Sequence, residues 1–161
     1  MIKKRKLYTA VIFSFLGGFY ASGFSTDTTR LAKEQGRITV CIPAMYADND
    51  HPNVQRFTRT LKSIDGQVVQ PYEVIVAVSE ATSTQSRQYE QYYRQFLRKT
   101  KLRIISSIRR GSVGMNRNRA ARHAQGALFT FFDADGDIMH PQRLQLIQWA
   151  FLLHNLSLIH I

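Results

Sequence analysis

The densest chemistry in the sequence is a set of three carboxylates at alternate positions, in Phe131-Phe132-Asp133-Ala134-Asp135-Gly136-Asp137. Aspartates spaced in this way, released together from an apolar stretch into a glycine-containing turn, can converge on a hard divalent cation and on the phosphates it bridges. The alternation alone is a weak signal, because Asp48-Asn49-Asp50 repeats it. Context separates the two: Asp133 ends an apolar run, whereas Asp48 lies in a polar segment and reads as a solvated turn.

The complementary chemistry is cationic. From Arg94 to Arg122 there are ten basic residues and no acidic ones. Most of such a run is expected to line a solvated helix face. The portion from Arg109 to Asn118 is more specific, because Gly111 and Gly114 loosen a loop and Asn116-Arg117-Asn118 open the next helix. A helix N-terminus beside an arginine is a ready phosphate site. The glycines form neither a G-K-[ST] phosphate loop nor a G-x-G-x-x-G dinucleotide fingerprint.

Positioning these groups falls to alternating strands and helices. Short β-rich runs are expected at Ile38 to Ile42, ended by Pro43, then at Val74 to Val78, Leu102 to Ile108 and Leu128 to Phe132. Between them, Val54, Phe57, Leu61 and Ile64 recur at helical spacing, and Ser83 to Lys99 carries a stripe of Tyr89, Tyr92, Tyr93, Phe96 and Leu97. Further helices are expected over Val113 to Ala124 and from Pro141 onward. Strands that are apolar on both faces and alternate with helices imply an α/β fold, a mostly parallel sheet covered on both sides. Ligands of such sheets sit at the carboxyl ends of the strands, which points to the loops after Ile42, Val78, Ile108 and Phe132.

The 161 residues carry 22 Lys plus Arg against 11 Asp plus Glu, a net charge of +11. A single domain is the expectation, with a partner that is anionic. One cysteine, Cys41, excludes an intrachain disulfide framework and a cysteine-rich zinc module. Residues 1–30 read as a signal anchor or a cleaved signal peptide: Lys3 to Lys6 form a basic block, and Leu7 to Phe24 follow without a charge. Membrane attachment through residues 7–24 is therefore expected, with the following domain lumenal or extracytoplasmic. Secretion after cleavage and a cytoplasmic domain are the alternatives. Residues 156–161, Leu-Ser-Leu-Ile-His-Ile, are what CTG TCT CTT ATA CAC ATC encodes, which resembles the end of a transposon-derived sequencing adapter. They are expected to be a non-native tail on a domain spanning 31–155 and truncated at its C-terminus, with a genuine helix end as the alternative.

Taken in order, three segments resemble the nucleotide-sugar-binding half of the family 2 glycosyltransferases, of GT-A fold. They are ITVCIPAMY (Ile38 to Tyr46), LKSIDGQVVQPYEVIVAV (Leu61 to Val78) and GMNRNRAARHAQGALFTFFDADGD (Gly114 to Asp137). The resemblance implies that Asp133 and Asp135 are the metal and diphosphate carboxylates, with Asp137 as an extra ligand. It also implies that Pro43 and Ala44 pack near the nucleoside, and that Arg117, followed by Asn118, holds the pyrophosphate or braces the aspartate pair. Ser79 and Asn118 are also expected among the donor nucleotide-binding residues, although Ser79 stands where the family usually has an acidic residue at the end of the second strand, and Ala120 where it has glycine.

The activity so implied is transfer of a sugar, inverting and dependent on Mn2+ or Mg2+, from a UDP- or GDP-linked donor to a carbohydrate, lipid or protein hydroxyl. The catalytic base is unknown, since the family takes it from a segment beyond the Asp-x-Asp motif. Two other classes fit parts of the sequence: a basic binder of anionic ligands or nucleic acid, and a membrane-anchored protein without activity. Nucleic acid is not the expected partner, because the tyrosines near the basic run have core spacing.

Overall fold

The computed structural model describes residues 36–44 and 54–154. The leader expected over residues 1–30 and the tail at 156–161 lie outside them. Among the described residues, no helix is long and apolar enough to cross a membrane.

Among the described residues, four strands and four helices alternate: β1 (Ile38–Ala44), α1 (Val54–Asp65), β2 (Glu73–Ser79), α2 (Ser83–Tyr93) continued by a 3-10 turn (Arg94–Phe96), β3 (Lys101–Ser107), α3 (Val113–His123), β4 (Leu128–Phe131) and α4 (Arg143–His154). The sheet has the order β3-β2-β1-β4, and every neighbouring pair is parallel. Parallel crossovers of one hand place their helices on the same face while the chain moves one way across the sheet, and on the other face when it turns back. The two cores follow that rule. Ile38, Val40 and Ile42 of β1 face Phe57, Leu61 and Ile64 of α1, Tyr89 and Tyr93 of α2, and Leu144 and Ile147 of α4. Cys41, Ile75, Ala77 and Phe129 face Ala120 of α3. Small residues on α3 let it lie close to the sheet.

β1 runs two residues past its expected end at Ile42, through Pro43 to Ala44. Alternate β1 residues address opposite neighbours: Ile38 accepts from Tyr72 at the start of β2, and Cys41 accepts from Phe132 after β4. Position 43 therefore faces the β4 side, where the ladder ends at that last bond. The N–H that proline lacks has no acceptor to miss there, so the β2 side continues with Pro43 opposite Ala77 and Ala44 opposite Val78. On the β4 side the chain is released at Asp133.

The helix expected over Ser83 to Lys99 is shorter. Tyr89, Tyr93 and Leu97 of its stripe are buried and Tyr92 and Phe96 partly so, but Asp65 Oδ1 of α1 accepts the backbone N–H groups of Arg98 and Lys99, both at 2.9 Å, and draws the chain away after the 3-10 turn. A cap supplied by a distant element leaves no local signal. Ile108, expected as the last residue of the third strand, lies beyond β3 and is 79% exposed.

Candidate functional site

Because β4 lies beside β1 while β2 and β3 lie on its other side, the strand order reverses between β1 and β4. A crevice at the carboxyl ends of the strands opens at such a point. Ala44 and the chain leaving Phe131 form its two walls.

Asp133 is the second residue beyond β4, after the buried Phe132. Arg117 of α3 donates from a single Nη2 to both its oxygens, at 2.8 and 3.2 Å. The pair is not a two-pronged fork, so Nη1 has no protein partner among the described residues. The guanidinium also lies 5.8 Å from the Phe131 ring centre, and its Nε is buried without a hydrogen-bond partner. An arginine held by one nitrogen, with donors left over, is suited to receive a second anion. Asp133 is 46% and Arg117 39% exposed, so the pair is open to solvent.

Asp135 and Asp137 are both exposed. Among the described residues, no group of three or more His, Cys, Asp or Glu is arranged to hold a metal ion. The three aspartates thus do not form a ready-made cage: Asp133 is engaged by Arg117, and the backbone carbonyl of Asp137 accepts from Thr60 Oγ1 at 3.2 Å. That arrangement still fits Mg2+ or Mn2+. These ions keep several waters and bind through one or two carboxylates together with substrate phosphates. Asp133 and Asp135 could hold one jointly with a diphosphate.

Gly136 allows the turn that carries these carboxylates. Its φ of +101° is a region that side chains rarely enter, and an added Cβ would lie 3.0 Å from Arg56 Cβ.

The floor of the crevice is a buried polar bridge. Asn116, fully buried on the first turn of α3, donates from Nδ2 to the Ala44 carbonyl at 3.0 Å and to Ser79 Oγ at 2.9 Å. Arg119 Nη1 donates to Asn116 Oδ1 at 2.7 Å. One side chain thereby ties the carboxyl ends of β1 and β2 to α3. Gly111 must pass close by: a Cβ there would lie 2.9 Å from Ser79 Oγ. Ser112 caps α3 by accepting the Met115 N–H at 3.2 Å, so that first-turn donor is already used.

Of the residues singled out in the sequence, Pro43, Ala44, Arg117 and Asp133 lie together at this crevice, with Asp135 and Asp137 following in the loop. Ser79 is buried in the bridge to Asn116, and Asn118 is exposed on α3. The buried polar partner is thus Asn116 rather than the expected Asn118. The signal that separates them is register: Ala120 is the small residue facing the sheet, and four residues back on the same face is 116, whereas 118 is half a turn away. Arg59, Thr60 and Ser63 of α1, which bond the acidic loop, had no sequence signal at all.

The ten-residue basic run is divided between the two ends of the sheet. Arg109, Arg110, Arg117 and Arg119 belong to the carboxyl end, in or after the loop that follows β3. Arg103 lies on β3 and donates to Glu73, the first residue of β2, at 3.2 Å.

Residues 39–155 match the family model described as Glycosyl transferase family 2. No curated protein matches the chain. Among solved structures, the crystal structure of S. aureus TarS 1–349 aligns with a TM-score of 0.57 at 23% identity, over 74% of this chain and 33% of that one. TarS 1–349 in complex with UDP-GlcNAc aligns with a TM-score of 0.56 at 24% identity, over 74% of this chain and 32% of that one. The likeness shows the shared fold, and the chain spans about a third of the TarS chains it matches. With the family match running through all four strands and the acidic loop beyond them, the chain belongs to glycosyl transferase family 2.

Proposed function

We propose that the chain is the donor-binding half of a glycosyltransferase that moves a sugar, hexose-type, from a nucleoside diphosphate donor to an acceptor hydroxyl. The observation that carries this reading is the Arg117–Asp133 pair at the point of strand reversal, with Asp135 exposed two residues on. TarS, of like fold, has been crystallised with UDP and with UDP-GlcNAc, which supports a UDP-linked donor. GDP-linked donors fit the same diphosphate chemistry.

In this reading Arg117 keeps Asp133 oriented through Nη2 and turns its remaining donors to the diphosphate. Asn116 holds the Ala44 and Ser79 strand ends together, so the nucleoside meets a rigid wall at Pro43 and Ala44. A divalent cation bound by Asp133 and Asp135 would supply further neutralisation of the departing diphosphate. The acceptor hydroxyl attacks the anomeric carbon from the side opposite the diphosphate and inverts it. Its proton goes to a base that is not assigned to any described residue. The acceptor is a carbohydrate, lipid or protein hydroxyl. Division of the basic run between two ends of the sheet supports a small anionic ligand over nucleic acid, which a continuous basic groove would suit better. Membrane attachment through residues 7–24, with the domain on the lumenal or extracytoplasmic side, belongs to the same proposal and rests on the basic block and uncharged stretch of the leader.

Calorimetric titration of the chain with UDP and with GDP, each with and without Mn2+, tests the reading. Binding strengthened by Mn2+ and lost in Asp135→Ala is the expected result. Binding indifferent to Mn2+ that fades uniformly with salt would favour a basic anion binder instead.

A further inference from the structure

One helix holds the acidic loop along its length. On α1, Arg59 Nε donates to the Gly136 carbonyl at 2.9 Å and Thr60 Oγ1 to the Asp137 carbonyl at 3.2 Å. Ser63 Oγ accepts the Met139 N–H at 3.0 Å. Just beyond the end of α1, Gln67 Nε2 donates to the His140 carbonyl at 2.8 Å and Gln67 Oε1 accepts the Leu144 N–H at 3.2 Å. Positions 60 and 63 lie one turn apart on the same face of α1, Gln67 follows just beyond its last residue, Asp65, and together they engage backbone groups in order from 137 to 144. The apolar face of α1 is a separate set, Phe57, Leu61 and Ile64, already buried in the core. The polar stripe is therefore dedicated to the segment that follows β4.

Arg59 adds charge to this geometry. Carboxylates at alternate positions repel one another, and of these three only Asp133 has an ion-pair partner among the described residues. The Arg59 guanidinium is fixed at Gly136, between Asp135 and Asp137, and an added Cβ at Gly136 would lie 3.2 Å from Arg59 Nη2. A cation anchored there through a backbone carbonyl offsets repulsion between the carboxylates while leaving their oxygens unbonded by it.

We infer that Arg59, backed by Thr60 and Ser63, is a positioning residue that keeps the Asp133–Asp137 loop in the curved form able to take a divalent cation together with a diphosphate. The inference rests on the donor-binding reading above, and Arg59 acts on the loop rather than on the donor.

Two measurements on the 161-residue chain test it. Amide hydrogen exchange needs no ligand: in Arg59→Leu, exchange at residues 134–139 is expected to rise about tenfold or more while the strands keep their protection. Arg59→Gln, with a shorter polar side chain, serves as the second variant. In calorimetry, Arg59→Leu is expected to weaken UDP binding in Mn2+ about 10- to 100-fold and to leave metal-free UDP binding unchanged. Arg59→Lys restores the charge without the planar Nε–H and recovers part of that loss. Unchanged exchange at 134–139 in both Arg59→Leu and Arg59→Gln overturns the inference. So does an equal loss of UDP affinity with and without Mn2+, which marks a general charge effect. A wild-type chain that binds neither UDP nor GDP in Mn2+ defeats the donor reading, and the exchange measurement then decides by itself whether Arg59 holds the loop.

Discussion

At the amino ends of the strands Arg103 reaches Glu73 at 3.2 Å, and at the carboxyl ends Arg117 reaches Asp133 at 2.8 Å. The two pairs have the same chemistry and lie on one sheet, yet their surroundings differ in kind. Glu73 is completely buried, and its carboxylate is satisfied on every side: it accepts from Thr39 Oγ1 at 3.2 Å, from the Gln125 N–H at 2.6 Å and from Arg103. Thr39 Oγ1 in turn accepts the Gly126 N–H at 2.9 Å, so the cluster ties β1, β2, β3 and the approach to β4 together. Asp133 is nearly half exposed, and its arginine keeps an unpartnered buried Nε. A satisfied buried charge is a structural tie, whereas an exposed pair with donors left over is open to a ligand.

Substitutions should separate the two ends. The largest effect is expected from Arg103→Ala, which leaves a buried carboxylate without its cation. Urea unfolding is expected to show a loss of about 3–5 kcal/mol, and a loss below about 1 kcal/mol would mean that Thr39 and Gln125 suffice for Glu73. Next comes Asn116→Ala, which removes the bridge between Ala44, Ser79 and Arg119 and strands their buried partners. It is expected to cost about 1–3 kcal/mol in the same measurement. Arg117→Ala should reverse the pattern: stability changes by less than about 1 kcal/mol, as for other exposed pairs, while calorimetry shows UDP affinity in Mn2+ falling about tenfold or more.

The smallest effect under ordinary conditions comes from Cys41, beneath the amino-end cluster. Burial, and secondarily the charge of Glu73, push its thiol up from 9.0 to about 12. The folded chain therefore keeps the proton that the unfolded chain loses, and stability falls as pH rises from 9 to about 12. Unfolding at a series of pH values should show this decline as steeper in the wild type than in Cys41→Ala, with no difference in slope below pH 9.

The contrast between the two ends explains what the sequence could and could not disclose. Alternation of strands and helices, both buried sheet faces and the position of Asp133 at a strand end are local patterns, and each is legible from composition and spacing. Glu73 and Arg103 read as ordinary surface charges because their partnership is made across strands thirty positions apart. The α1 stripe is hidden for the same reason: Thr60 and Ser63 are unremarkable until the chain after β4 folds back onto them. Pro43 misleads in the other direction. Its identity signals a stop, but only the sheet order shows that the missing N–H faces the side where pairing has already ended.

The proposed function assigns ligand chemistry to the carboxyl end and leaves the amino end as scaffold. Backbone amide shifts of the 15N-labelled chain, recorded as UDP is added with and without diamagnetic Mg2+, test it most directly. Mg2+-dependent shifts are expected at residue 44 and within 111–119 and 132–137, with residues 37–39, 73, 103 and 125–126 unmoved. Shifts centred on the Glu73 and Arg103 cluster, or shifts at the acidic loop that are the same with and without Mg2+, would overturn that division between the two ends.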